Sequence, residues 1–281
     1  MERIAALLTV HNRKNKTLAC LKCLYDQKDI SGYTFDVYLT VDGCTDGTEE
    51  TVSQLYPDIK VVQGDGKLFW NRGMYRAWER ASAEAEYDFY FWLNDDTYLK
   101  RNAIEILVDT SRLYQHKAIV VGSTNGTRDS ERITYGGMDD SFRIIQPSNV
   151  PLVCNCFNGN IVLIPSNVYK YLGKNDPYYS HAIGDFDYGL RASKMHIKSI
   201  IAPGVLGVCD EHSALPVWCD PKKALKIRKR AFRSPLGQNP EEYFVFDRRH
   251  NGLLLACFHY LTIHVRLYFP WIWTVRKKRR C

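Results

Sequence analysis

A chain of 281 residues that is 45% hydrophobic and 13% aromatic has enough apolar surface for one large core or two smaller ones, which excludes a disordered or low-complexity protein. Its net charge of +7 is unevenly placed: residues 1–220 carry 23 Lys or Arg against 28 Asp or Glu, and residues 221–281 carry 15 against 3. A mildly acidic body is followed by a basic tail, and charge alone does not choose among nucleic acid, anionic lipid and a phosphorylated substrate as its partner.

The N-terminal apolar run leads into His11, Asn12 and Arg13. It is too short for a secretory signal and reads as a first strand. Without an export signal the nine cysteines are expected as free thiols in a reducing cytosol. Cys20 and Cys23 have CxxC spacing inside a helical pattern, with no second pair to complete a zinc site, so helix packing is the better reading.

Taken in order, residues 4–10 predict a strand, 15–27 a helix, 35–41 a strand and 48–55 a helix with acids in its first turn. Residues 59–63 then predict a strand, 71–85 a helix and 89–93 an aromatic strand. Such alternation implies an α/β fold with a mostly parallel sheet covered on both faces, in which ligands collect at the carboxyl ends of the strands.

Those ends are polar. The first carries Thr9, His11, Asn12 and Arg13; the second Asp42, Asp46 and Thr48; the third Gly64, Gly66 and Lys67; the fourth Asn94, Asp95 and Asp96. Such groups suit a base, a ribose and a pyrophosphate, although each cluster taken singly also reads as a turn or helix cap. Adjacent carboxylates need a cation, and hard oxygen ligands suit Mg2+ or Mn2+ better than Zn2+. Neither GxGxxG nor GxxxxGK[ST] follows the first strand, so neither a dinucleotide fold nor a P-loop is indicated.

Further along, residues 135–146 suggest a hairpin, and residues 157–160 lead into a strand at 161–164. Asn158 and Asn160 offer amides suited to sugar hydroxyls, or mark a turn. Trp70 and Asn71 can line the same cleft. Asp185 precedes a helical run at 188–195 and reads as an N-cap or as a functional acid.

Four segments taken together resemble family 2 glycosyltransferases of GT-A fold: Val10 to Arg13, Val41 to Thr48, Asn94 to Asp96, and Gly184 to Arg191. The likeness spans roughly the first 215 residues. The segments from Gly64 to Asn71 and from Cys156 to Pro165 are similar to the bacterial polysaccharide-biosynthesis branch.

The resemblance implies a Rossmann-like catalytic domain over 1–215 and a basic, aromatic C-terminal helical extension over 216–281. It implies inverting, metal-dependent transfer of a hexosyl or deoxyhexosyl group from a nucleoside-diphosphate sugar to a glycan or lipid-diphosphate-linked acceptor, in bacterial surface polysaccharide synthesis. Asp42 is expected on the base, the Thr9 to Arg13 loop with His11 and Asn12 beneath base and ribose, and Gly66 and Lys67 with the diphosphate. Asn94 and Asp95 are expected near ribose or sugar, and Asp96 on Mn2+ or Mg2+, joined by His212.

Asp185 is the expected general base, with Asp187 as the second candidate because Gly184 stands where relatives carry an acid. Trp70, Asn71, Asn158, Gly159 and Asn160 are expected to meet the acceptor or sugar. Val41 and Cys44 also depart from the common acid and serine, which bears on base preference.

In the extension, residues 221–230 are strongly basic, and 252–274 are apolar but broken by His259, His264, Arg266 and Pro270. A spanning helix needs about 20 apolar residues, and Arg266 argues against one. A helix lying in the membrane interface, with Tyr268, Trp271 and Trp273 at headgroup depth, fits the composition; a packed C-terminal helix is the plainer alternative. The expected location is cytoplasmic, peripheral on the inner membrane. Two other functions compete: a non-catalytic membrane-surface binder, and a sugar nucleotidyltransferase, which calls for a glycine-rich basic loop after the first strand. Nucleic-acid binding would explain none of the acidic motifs.

Overall fold

The protein is described by a computed structural model covering residues 1–27, 32–211 and 215–272. By their contacts the residues fall into two units, one of Met1–Pro177 with Gly184–Glu211, the other of Tyr178–Ile183 with the residues from 212 onward.

The first unit begins as the apolar pattern dictates. In β1 (Glu2–Val10) every residue from Ile4 to Val10 is buried, as a strand covered on both faces requires. After α1 (Lys14–Tyr25), β2 (Tyr33–Asp42) lies parallel to β1; after α2 (Thr48–Leu55), β3 (Lys60–Gly64) lies parallel to β2. Helix α3 (Phe69–Glu84) leads to β4 (Phe89–Leu93), parallel to β1 on its other side.

The chain continues through β5 (Tyr98–Leu99), α4 (Ala103–Leu113), β6 (Ile119–Asn125), β7 (Ile133–Tyr135), β8 (Gly137–Met138), β9 (Leu152–Cys154), β10 (Cys156–Phe157), β11 (Ile161–Pro165), α5 (Ser166–Leu172), α6 (Gly184–Lys194) and β12 (Ser199–Val208). The main sheet runs β3-β2-β1-β4-β11-β6-β12-β5. Its first four strands are parallel, whereas β11 is antiparallel to both β4 and β6. That reversal sets Ile161 opposite Leu93, so the residues entering β11 stand beside those leaving β4.

Alternation along the strands builds two cores. Ile4, Ala6 and Leu8 pack with Leu21, Val52 and Leu107 on one face. Ala5 and Leu7 pack with Trp78, Trp92 and Tyr188 on the other. Trp78 and Trp92, both fully buried, meet edge to face at 5.7 Å, a geometry worth about 1 kcal/mol beyond the area buried. In the expected hairpin over 135–146, Met138 bridges antiparallel to Ile144, with Ile145 donating to the Gly137 carbonyl and Asp139 to that of Arg143; β8 also pairs with β10.

The second unit holds a short 3-10 turn (Val217–Cys219), α7 (Leu225–Phe232), α8 (Pro240–Asn251) and α9 (Leu253–Tyr268). Trp218, Cys219, Phe232 and Leu267 form its small core. The buried Glu242 carboxylate accepts from the amide and hydroxyl of Ser180 at 3.2 and 2.8 Å, fastening Tyr178–Ile183 to α8. Gly252, at φ +89°, separates α8 from α9. Among the described residues no helix is long and apolar enough to cross a membrane. Trp273 and the basic run 276–280 lie outside the described residues.

Candidate active site

Three loops meet where β1, β2 and β3 end. Gly43 (φ +62°) and Gly66 (φ +80°) touch so closely that a Cβ on Gly43 would lie 2.7 Å from the Gly66 Cα, leaving no room for a side chain. Asp42 closes this junction. Its Oδ1 accepts from the Gly66 amide at 2.8 Å, and its Oδ2 from the amides of Leu68 and Phe69, each at 3.0 Å.

This geometry gives Asp42 a structural role beside the expected contact with a nucleotide base. The carboxylate is buried and already accepts three loop amides, so its immediate work is to shape the loop carrying Gly66 and Lys67. Phe69 is held at φ +58°, a conformation that costs a bulky residue about 1–3 kcal/mol. Lys67 projects into solvent.

The loop after β1 is knitted to the loop after β2. His11 donates from Nδ1 to the Asp42 carbonyl, and its Nε2 lies 3.3 Å from the Asn12 amide nitrogen. Asn12 Oδ1 accepts from the Thr45 amide at 2.7 Å. Asp46 accepts from the amide and hydroxyl of Thr48 and, at 2.9 Å, from the Lys14 amide, so it caps α2 and also holds the start of α1. The Thr48 hydroxyl and Lys14 amide hold its carboxyl below the usual range. Thr9 is buried against Gly73, where any Cβ would overlap its hydroxyl, so it seats α3 on β1 and does not open to a ligand.

At the end of β4 the paired acids have found a cation within the protein. Arg13 Nη1 lies 3.3 Å from Asp95 Oδ1 and 2.9 Å from Asp96 Oδ2. Thr17 donates to Asp95 Oδ2 at 3.3 Å, and Lys16 Nζ stands 3.7 Å from Asp96. Burial pushes Asp95 up to about 6; the Arg13 guanidinium opposes this and the Asp96 charge reinforces it. Lys16 and Thr17 were not picked out from sequence. Their signal is the three- and four-residue spacing from Arg13, which sets them on one face of α1.

Among the described residues no group of three or more His, Cys, Asp or Glu is placed to hold a metal ion unaided, and His212 lies outside those residues. Mg2+ and similar ions are commonly held by one or two carboxylates plus substrate phosphates. Asp95 and Asp96 meet that requirement: both donors are hard oxygens, and both already attract a cation, Arg13. Two buried thiols adjoin the acids: Cys209, 3.8 Å from Asp96 Oδ1, and Cys20, which donates to the Asn94 carbonyl at 3.3 Å.

From the acids a chain of contacts runs to Asp185. Asn94 donates its amide to the Asn160 carbonyl at 3.1 Å, and its side-chain oxygen accepts from Trp70 Nε1 at 2.7 Å. The Trp70 ring lies flush against Gly159, where any Cβ would overlap it. Gly159 then donates its amide to Asp185 Oδ2 at 2.9 Å, while Oδ1 accepts from Phe186 at 2.9 Å. Asp185 thus sits in the first turn of α6, partly exposed, beside the segment that enters β11. Burial pushes it up to about 6, with the Gly159 and Phe186 amides opposing.

The absence of an acid at Gly184 has a steric cause: a Cβ there would overlap the side chain of Asn71. Asp187 is fully buried and bonded at 2.9 Å to Arg191 Nε, whose other nitrogens reach the carbonyls of Leu172 and Lys174. That is a tie between helix and loop, turned away from solvent.

Two of the expected sugar contacts have structural roles likewise. Asn71 is fully buried, donating to the Asp176 carbonyl at 2.8 Å and accepting from Asn175 at 2.8 Å. Asn160 is buried against Thr97 and Cys209. Buried amides take partners inside the protein, and both of these do. Asn158 and Trp70 remain half-buried.

Comparison with solved structures finds similar folds. A crystal structure of S. aureus TarS is 12% identical with a TM-score of 0.56; the match covers 90% of this chain and 43% of the TarS chain. A shorter S. aureus TarS structure, 1–349, is 13% identical with a TM-score of 0.54, over 89% of this chain and 73% of that one. This chain therefore spans less than half the length of the first of them, and at these identities the likeness speaks for the fold, which is GT-A. No curated protein sequence matches significantly. The family model described as "Glycosyl transferase family 2" matches residues 6–164, more than half of the chain, and the protein belongs to that family.

Proposed function

We propose that this chain is an inverting, metal-dependent glycosyltransferase that moves a sugar from a nucleoside-diphosphate donor to a hydroxyl of a glycan or lipid-linked acceptor in bacterial surface polysaccharide synthesis. Residues 1–215 serve as its catalytic domain. The observation that carries this reading is the contact chain Asn94, Trp70, Gly159, Asp185, which joins an acid pair suited to a cation with an isolated carboxylate suited to a proton.

In this reading Asp96, backed by Asp95, holds Mn2+ or Mg2+, which when bound stabilises the negative charge growing on the leaving diphosphate. Arg13 and Lys16, already beside the acids, add positive charge at the same end. The loop braced by Asp42 presents Gly66 and Lys67 to the donor. On the other side Asp185 accepts the proton of the acceptor hydroxyl as that oxygen bonds to the anomeric carbon and the bond to the diphosphate breaks, so configuration inverts. Its level near 6 leaves it ionised at neutral pH yet basic enough for the task. Asp187 supports α6 through Arg191.

The extension over 216–281 is proposed to rest on the cytoplasmic face of the inner membrane. Leu254, Phe258 and Leu261 of α9 are 89%, 59% and 67% exposed, and the exposed Lys226, Lys229 and Arg230 of α7 lie in the same unit, with Lys229 over the Tyr268 ring. Apolar side chains bordered by cations complement anionic lipid. Co-sedimentation with phosphatidylglycerol vesicles and not with phosphatidylcholine vesicles is expected; equal recovery from both refutes it. The catalytic reading is tested by thermal shift with UDP- and dTDP-sugars, with and without Mn2+. A stabilisation that needs both partners is expected, and none with any donor would refute it.

A further inference from the structure

Among the described residues of the first unit, Phe142 is the one phenylalanine or tryptophan left exposed, at 46%. The turn that carries it is firmly built: Asp139 accepts from the amides of Ser141 and Arg143 at 2.8 and 3.0 Å and from Arg143 Nε at 3.0 Å. Yet Phe142 itself is held at φ +56°, where a bulky side chain is unfavourable. A glycine or asparagine would suit that position and spare both the strain and the exposed ring.

The ring does not lie at random. Its centroid is 5.8 Å from that of half-buried Phe186, the residue after Asp185, whose amide is bonded to the Asp185 carboxylate. Cys156 pairs with Met138, the residue before Asp139, and three residues on Gly159 bonds to Asp185, so turn and carboxylate share one neighbourhood; burial first, then the charges of Asp185, Asp139 and Asp140, push the Cys156 thiol up to about 12. Asn158, half-buried on the same loop system, bonds its amide to the Gly136 carbonyl at 3.0 Å.

We propose that Phe142, with Phe186 beside it at an interplanar angle of 54°, forms a stacking platform for the acceptor's terminal sugar ring. This rests on the glycosyltransferase reading and deepens it. The C–H groups on one face of a pyranose carry slight positive charge and pack against the negative face of an aromatic ring, while the hydroxyls at its edge stay free to bond and to react. A pyranoside-terminated glycan fits such a platform; an open-chain polyol or a bare lipid phosphate has no flat C–H face to offer it. Phe142 is accordingly a residue that sets acceptor specificity, with no part in holding the donor.

Saturation-transfer NMR with the methyl pyranosides of glucose, galactose, N-acetylglucosamine and rhamnose, in the presence of UDP or dTDP and Mg2+, tests this. At least one should receive saturation on the C–H groups of one ring face. Phe142→Ala should lower that signal at least fivefold, Phe142→Tyr should keep it, and calorimetric affinity for the nucleotide should stay within twofold in both. Phe142→Gly should melt no lower than the parent, because glycine accepts the positive φ. Undiminished transfer in Phe142→Ala, a markedly lower melting temperature for Phe142→Gly, or no pyranoside contact in a protein that does bind nucleotide would each overturn the platform. Failure of UDP and dTDP alike to bind would instead remove the reading beneath it, and the platform with it.

Discussion

Asp95 and Asp185, at the two ends of the contact chain, are both raised to about 6 by burial, yet they are compensated differently. Asp95 is raised to about 6 by burial and is held by Arg13, with Thr17 behind it. Asp185 is also raised to about 6 by burial, but only backbone amides from Gly159 and Phe186 oppose the shift, and no cation is among its causes. In the proposed reading the first end exchanges its arginine for a metal ion. Among the described residues no side chain neutralises the second, which is the state in which a carboxylate takes up a proton.

Replacing each acid in turn is the strongest way to break this comparison. Asp185→Asn keeps the shape but removes the base; transfer should fall by about 10²–10⁴-fold while donor affinity is unchanged. Asp96→Ala should weaken Mn2+-dependent nucleotide binding by about 10–100-fold, the order of loss seen when a metal site is disturbed. Calorimetry and initial rates on both variants separate the two roles. If Asp185→Asn retained full transfer, or Asp96→Ala bound nucleotide in the presence of Mn2+ as tightly as the parent does, the division of labour would be wrong.

Gly159→Ala sharpens the comparison at the joint between the ends. The added methyl overlaps the Trp70 ring, and Trp70 is in turn bonded to Asn94. Forcing a methyl into packed surroundings costs about 1–3 kcal/mol. Both ends should suffer together, with stability, nucleotide affinity and transfer all lowered, as neither single-acid variant predicts. A normal melting curve with normal binding would show that the contact chain couples nothing.

How much of this could be read from the chain follows the same division. Strands β1 and β4 are visible as apolar runs because nearly every residue in them is buried, and β2 because its second half is, whereas β3 at the sheet edge is only half-buried; the polar residues that follow the four strands lie at one end of the sheet. Boundaries fail where distant groups decide them. Helix α3 starts at Phe69, ahead of the expected residue 71, at the amides held by Asp42, 26 and 27 positions earlier in the chain. Strand β12 runs on to Val208 through Pro203 and Gly204, residues that look like a stop, because register shifts against β6 absorb them.

Side-chain destinations were the least legible. Asn71 and Asn160 have the composition of sugar ligands, and only the fold shows their amides used up inside the protein. Nothing in the sequence shows that Arg13 lies on Asp96, 83 positions further along the chain.

The smallest expected effect is one of sign. A carboxyl raised from 3.8 to about 6 in the folded chain binds its proton more tightly there than when unfolded. Its contribution to stability is therefore fully present below pH 4 and is lost as pH rises through 6. A shift of this size corresponds to about 3 kcal/mol at most, and partial exposure of Asp185 reduces it to roughly 1 kcal/mol. Transfer should follow the opposite course, rising with pH through 6 as the base ionises. Denaturant titrations of the parent and Asp185→Asn at pH 4.5 and 7.5 should therefore show the parent losing ground on the variant over the interval in which its own rate climbs. Parallel stability profiles would mean that Asp185 is already ionised at the acid end, and the contrast with Asp95, held by its arginine, would disappear.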